Sequence, residues 1–273
     1  MEKSIKNLLL VTGNSVAVVA TIIVNVLAVL LPINGKTTQE LSDNIPNLFV
    51  PVGITFSIWS IIYIFLIIFM IYQIMGLIKK KQDMNYLEKI SGWFILASLA
   101  NIIWIFLWQY EYVSFSLLVM LLLLVSLLII YLRLNIGLSK VSLKEKLAVH
   151  VTISIYLGWI SVATVANVTA VLVNAGVGEL FLGQVTWTII VIAVVALITL
   201  LMLLRRKDVA YSLVIIWAVV GIVIKRLNTD PIYGVQTNLA ITAAIAIVII
   251  AIAMIARTIP AIYKKEPSKL ENK

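Results

Sequence analysis

The sequence predicts an all-α fold: a polytopic membrane helix bundle of about eight transmembrane helices. Three observations predict it. Hydrophobic residues make up 62% of the 273 residues and charged residues only 12%, against roughly 25% charged in a soluble domain. Apolar stretches of about 20 residues, the length that crosses ~30 Å of hydrocarbon, recur along the chain. The basic residues gather on alternate connections, as the positive-inside bias requires. With the N-terminus inside, only Lys36, Lys225 and Arg226 of the 21 basic residues fall on the outer side.

The spans are expected at 8–32, 50–78, 90–109, 113–134, 147–173, 184–204, 209–225 and 238–257. The start of the chain, Met1 to Lys6 before an apolar run, has the look of a signal peptide. The run is too long for a usual hydrophobic region and no small-x-small site follows it, so it reads as a retained first span. Asn14 and Asn25 lie eleven residues apart and so almost on one face. Against lipid they would be costly, so they are expected to face other helices, through interhelical hydrogen bonds or as part of a pocket. The outer loop INGKTTQELSDNIPNLF, residues 33–49, is punctuated by Gly, Asp, Asn and Pro and leads straight into the second span, where it is placed to fold over the mouth of a pocket.

The second span opens PVGITFSIWSIIY. Pro51 is compatible with a first helical turn, where its missing N–H would be unpaired anyway, and Gly53 permits close approach of another backbone. Phe56, Trp59 and Tyr63 follow at spacings of three and four and share one face. The third span carries ASLANIIWIFLWQ, with Asn101, Trp104 and Trp108 at i, i+3 and i+7; Asn101 is deep enough to need a helix partner or a ligand. The fourth is read from its apolar length. The basic loop SKVSLKEKLAVH leads into the fifth, SIYLGWISVATVAN, with Tyr156, Trp159, Ala163 and Asn167 on one face and Gly158, Ser161 and Ala163 keeping the helix slim beside the indole. A Gly-rich outer turn, NAGVGELFLG, precedes the last three spans, which carry Trp187, Tyr211 and Trp217. The eighth is rich in Ala and Ile, and Ala240 and Ala244 suit close packing. The tail IPAIYKKEPSKLENK is polar.

Composition also excludes chemistry. With no cysteine there is no disulfide, thiolate metal site or cysteine nucleophile. A single histidine, His150, builds no His-based metal cluster, and no phosphate-cradling G-x-x-x-x-G-K-[ST] loop occurs. The spans offer no nucleophile–base pair or carboxylate dyad, so an enzyme is not expected. Charge is absent from mid-span, which argues against ion coupling and against a retinal-type Schiff base. The net charge of +9 sits at membrane edges and reads as stop-transfer and lipid headgroup contact, not as affinity for nucleic acid.

The three aromatic-polar stripes, in this order, resemble the tryptophan-rich sensory protein and translocator protein family (TspO/MBR, the peripheral benzodiazepine receptor type). Pro51, Gly53, Phe56, Trp59 and Tyr63 correspond to the motif of its second helix. Asn101 and Trp104 correspond to its third-helix N-x-x-W. Tyr156, Leu157, Trp159, Ala163 and Asn167 correspond to its fifth. The resemblance covers about residues 8–175. The chain departs from it in the loop before Pro51, which lacks an aromatic and a second proline, and after Trp104, where Ile105-Phe106 replaces a proline. It also adds three spans. The resemblance implies a five-helix module over 1–175, followed by three additional helices over 176–260 and a polar tail over 261–273. It implies a pocket capped by the first loop that takes flat, apolar ligands: porphyrin or haem, sterols and benzodiazepine-type compounds. No cofactor is required; porphyrin or haem would be a ligand. The ligand-binding residues so implied are Pro51, Gly53, Phe56, Trp59, Tyr63, Asn101, Trp104, Tyr156, Trp159, Ala163 and Asn167. Lys225 and Arg226 are placed to meet ligand carboxylates, although turn capping or pairing with Asp230 explains them more simply. His150, at the inner end of the fifth span, reads as interfacial rather than as a haem ligand. The expected protein is a bacterial plasma-membrane sensor or transporter with both termini cytoplasmic, in contact with lipid and open to homodimerisation. A permease-like subunit of an export system and a tetrapyrrole-modifying enzyme are the alternatives.

Overall fold

The computed structural model describes residues 2–79, 84–177, 183–228 and 234–263. Among these, seven helical segments are long and apolar enough to cross a membrane, and one shorter apolar helix joins them. The protein is thus a polytopic helical bundle, and these segments fall on the eight expected spans.

Helix α1 (Glu2–Leu30) begins before the predicted span, because helical structure continues past the apolar run into its charged start. After a short 3₁₀ turn comes α2 (Thr38–Asn44), a two-turn helix within the first loop. The second span does not start as a helix at Pro51. Residues 50–52 have no regular structure, a 3₁₀ turn covers Gly53–Ser57, and α3 runs from Ile58 to Ile78. Helix α4 (Asn85–Ile90) is short, buries Tyr86, Leu87 and Ile90, and breaks at Ser91, where φ is 49°; α5 runs Trp93–Gln109. At 1.5 Å per residue α5 is about 26 Å long, just short of the hydrocarbon thickness. Helix α6 (Val113–Leu134) ends on Asn135 in the left-handed conformation, a regular way to stop a helix. The short α7 (Leu143–Glu145) runs through a π-helical turn, Lys146–Val151, into α8 (Thr152–Asn174). Helices α9 (Gly183–Arg206), α10 (Val209–Leu227) and α11 (Thr237–Tyr263) complete the chain. Asp208 caps α10 by accepting from Tyr211 N at 3.1 Å and is itself fixed by Ser154 Oγ at 2.7 Å.

Five helices close into a ring: α1 packs on α5, α5 on α6, α6 on α8, α8 on α3 and α3 back on α1. Buried amides bind this ring, as Asn14 and Asn25 predict. Asn14 Nδ2 donates to Gln73 Oε1 at 2.8 Å, and Asn25 Nδ2 donates to Asn101 Oδ1 at 2.6 Å. Helices α9, α10 and α11 pack on one another and dock through α10 onto α8 and the 3₁₀ turn before α3. Gly158 makes that docking close. A Cβ there would lie 3.1 Å from Val214 Cβ and 3.3 Å from Tyr211 O. The slim stretch of α8 predicted to leave room beside Trp159 is therefore occupied, at Gly158, by α10.

Candidate functional site

The first and third stripes meet where α3 and α8 touch. Trp59 stacks on Tyr63 with ring centres 5.6 Å apart, and meets Tyr156 and Trp159 edge-on at 6.1 and 6.4 Å. Phe56 meets Trp159 edge-on at 5.8 Å. Such offset and edge-to-face geometries suit the quadrupoles of aromatic rings. Across the ring, Trp104 and Trp108 of α5 stack at 5.6 Å.

Between these groups, towards the loop 31–52, lies a small cavity of about 50 Å³. Phe56 and Trp159 form one side, Trp104 and Trp108 another, and Ala163, Ala166, Asn167 and Ala170 of α8 form the floor. The roof is the first loop: Thr38, Ser42, Ile45, Asn47, Val50 and Pro51. Of the ligand-binding residues implied by the resemblance, Pro51, Phe56, Trp104, Trp159, Ala163 and Asn167 line this cavity. Trp59, Tyr63 and Tyr156 stand behind Phe56 and Trp159 as supporting rings. Gly53 lies outside the lining, against the Gln39 side chain. Asn101 lies outside it too, with its carbonyl oxygen held by Asn25 of α1.

The polar atoms at the floor are already engaged. Trp104 Nε1 donates to Asn167 Oδ1 at 3.0 Å, and Asn167 Nδ2 donates to Ser116 Oγ at 3.1 Å. This knot joins α5, α6 and α8 and fixes the plane of the Trp104 indole. What remains facing the cavity is chiefly aromatic surface and alanine methyl groups, a lining that offers ring faces and few free hydrogen-bonding groups.

The lid is fastened along its length. Trp108 Nε1 donates to Thr38 O at 3.2 Å. The buried Gln109 amide is oriented by its partners: Nε2 donates to Lys36 O at 2.7 Å and the oxygen accepts from Thr38 N at 3.2 Å. Two ion pairs sit at the ends, Lys36 with Glu111 at 2.8 Å and Lys225 with Asp43 at 2.5 Å. Lys225, a departure from the charge pattern, thus ties α10 to the lid. Arg226 is fully buried at the end of α10, and Asp230, its other expected partner region, lies outside the described residues. Helix α10 also grips the strap before α3. Val52 N donates to Gly221 O at 3.1 Å, and Trp217 Nε1 donates to Thr55 O at 2.9 Å.

His150 is buried within the π-helical turn at the far end of α8, away from the cavity. The lid residues Thr38, Ser42, Ile45 and Asn47 were not distinguishable in sequence from other loop positions. Ala166 and Ala170 were also missed, although with Ala163 they stand at i, i+3 and i+7, a spacing that clears one face of a helix and could have marked them.

Fold and site together define a polytopic helical membrane protein with an internal aromatic pocket under a folded first loop. The chain belongs to the TSPO-like protein family, whose family model matches residues 9–256. That match continues through α9 and α10 and into α11, beyond the region that carries the three motifs. No curated protein and no solved structure matches the chain.

Proposed function

We propose that the protein binds flat, apolar ligands of the porphyrin, haem or sterol type in the aromatic cavity, as a membrane sensor or transporter. The observation that carries this reading is the cavity's lining: indole and phenyl faces opposed across an alanine floor, beneath a lid. Binding and passage, rather than turnover, are the proposed activity. The proposed setting is the bacterial plasma membrane, with both termini in the cytoplasm.

A cavity of about 50 Å³ is small beside the roughly 300–1,000 Å³ of ordinary small-molecule sites. The described state is therefore a closed one, and binding requires the lid or the rings to move. Protoporphyrin IX titrated into the reconstituted protein should quench tryptophan fluorescence saturably. Ala166→Phe, which fills the floor without removing a polar partner, should abolish saturation while the protein keeps its thermal transition. Equal affinity in the wild type and Ala166→Phe would refute the assignment of this cavity.

A further inference from the structure

Two further hollows adjoin the aromatic pocket. On the loop side, a cleft of about 210 Å³ is bordered by Asn44, Glu111 and Asn174, and shares Ile45 and Trp108 with the pocket. On the other side, between the last turns of α8 and the first turns of α9, lies a cavity of about 350 Å³. Leu172, Val173, Val177, Trp187 and Val191 form its apolar walls, and it shares Asn47 with the pocket.

We propose that this cavity between α8 and α9 is a lipid-side vestibule: a planar apolar ligand dissolved in the bilayer is received there and reaches the aromatic pocket when the Asn47 amide swings aside. The proposal rests on reading the aromatic pocket as a ligand site, and it adds the route.

The seam itself supports it. The pocket stripe of α8 (Ala163, Ala166, Ala170) and the vestibule stripe (Thr169, Leu172, Val173) are neighbouring faces of one helix. Asn47 lies across their border. Its Nδ2 donates to Thr169 Oγ1 at 2.6 Å and to Ala166 O at 3.3 Å, and its Oδ1 accepts from Phe49 N at 2.9 Å. A small amide held by side-chain bonds can leave by rotamer change, without moving a helix.

Size points the same way. The vestibule falls within the range of ordinary ligand sites, whereas the closed pocket does not. Surroundings agree as well. Leu172 and Trp187 are each 43% exposed, and Ile190 and Val194 beside them on α9 are exposed too. On a membrane-spanning helix such residues face lipid, where an apolar ligand is concentrated. The loop-side route is the harder one. Its apolar lining is interrupted by Asn44, Glu111 and Asn174, and it is closed by two ion pairs and the Trp108 and Gln109 hydrogen bonds.

The test compares rates with equilibrium affinity. The full chain is reconstituted in phosphatidylethanolamine–phosphatidylglycerol vesicles, and protoporphyrin IX is supplied from the bilayer of donor vesicles. Stopped-flow tryptophan quenching gives the rates. Val191→Phe and Val173→Phe fill the vestibule at two independent positions. Each should slow association and dissociation about tenfold, within the span that variants of one site cover, and leave Kd within about twofold. Thr169→Val removes the hydroxyl that holds Asn47 and should speed both rates. Asn174→Phe, in the loop-side cleft, should change neither. Wild-type rates in both filled variants would overturn the vestibule, as would slowing by Asn174→Phe alone. So would a loss of affinity in Val191→Phe equal to that in Ala166→Phe, which would make the cavity the binding site itself. Absence of saturable quenching in the wild type would instead overturn the pocket reading, and the route with it.

Discussion

Gly221 has no side chain, and α10 needs that vacancy to dock. A Cβ there would lie 2.0 Å from Thr55 Oγ1 and 2.9 Å from Pro51 Cβ, so the strap that roofs the pocket rests on bare backbone. Overpacking at a tight contact costs about 1–3 kcal/mol. Gly221→Ala should lower the thermal transition in detergent accordingly, and adding Thr55→Ala should recover part of the loss, since the nearest clash is with the threonine hydroxyl. The deep amides make a second residue-scale case. Asn101 was legible in sequence as a group that must find a partner, but the partner was not, because it depends on which helices become neighbours. It is Asn25 of α1, 76 residues earlier. An Asn25→Ala/Asn101→Ala double-mutant cycle should return a coupling of about 1 kcal/mol, the scale of interhelical side-chain bonds in membranes. Zero coupling would remove this pair from the account of what closes the ring. Asn167 was visible as the polar member of the third stripe. Its role in fixing Trp104 required Ser116 on a third helix and was not visible.

Among elements, α2 is the least self-sufficient. Seven residues are too few for an isolated helix, so it exists through its cap and its fastenings. Thr37 and Glu40 form a capping box: Glu40 N donates to Thr37 Oγ1 at 3.2 Å, and Thr37 N donates to Glu40 Oε2 at 2.6 Å. The spelling T-x-x-E that announces such a cap is present in the loop, and reading it would have predicted a helix where punctuation alone suggested only turns. Thr37→Ala should cost α2 about 1 kcal/mol, measured as faster hydrogen exchange at the amides of residues 41–44. The pH dependence has a definite sign. The Thr37 backbone N–H, and then its hydroxyl, hold the Glu40 carboxyl below its ordinary value of 4.5. The folded lid therefore favours the ionised form. Its cap is fully made above pH 4.5 and is lost as pH falls through the lowered value. Protection factors at the same amides, each referred to the intrinsic exchange rate at that pH, should fall across that acid window in the wild type and stay flat in Glu40→Gln.

For the whole molecule, the sequence carried the span count well, because apolar length and charge alternation are local signals. It did not carry the arrangement of the last three helices, because docking through α10 depends on Gly158 and Gly221 meeting particular neighbours. The structure also gives the charge pattern a spatial form. At one end Lys6 lies 3.8 Å from Glu88, Arg133 Nη2 donates to Glu88 O at 2.9 Å, Arg206 Nη1 to Ile136 O at 3.3 Å, and Arg257 Nη2 to Leu204 O. These contacts bring segments from α1, α4, α6, α9 and α11 to one basic rim. At the other end Lys36 and Lys225 are paired with the carboxylates of Glu111 and Asp43. We propose, from the bias of Lys and Arg towards cytoplasmic connections, that this rim faces the cytoplasm. The native chain has no cysteine, so single-cysteine variants report cleanly. Lys140→Cys, on the basic rim, should resist a membrane-impermeant maleimide in intact cells and react after permeabilisation. Asn44→Cys, at the exposed end of α2, should react in intact cells. The opposite labelling pattern would invert the protein, and would place the lid and its pocket on the cytoplasmic side.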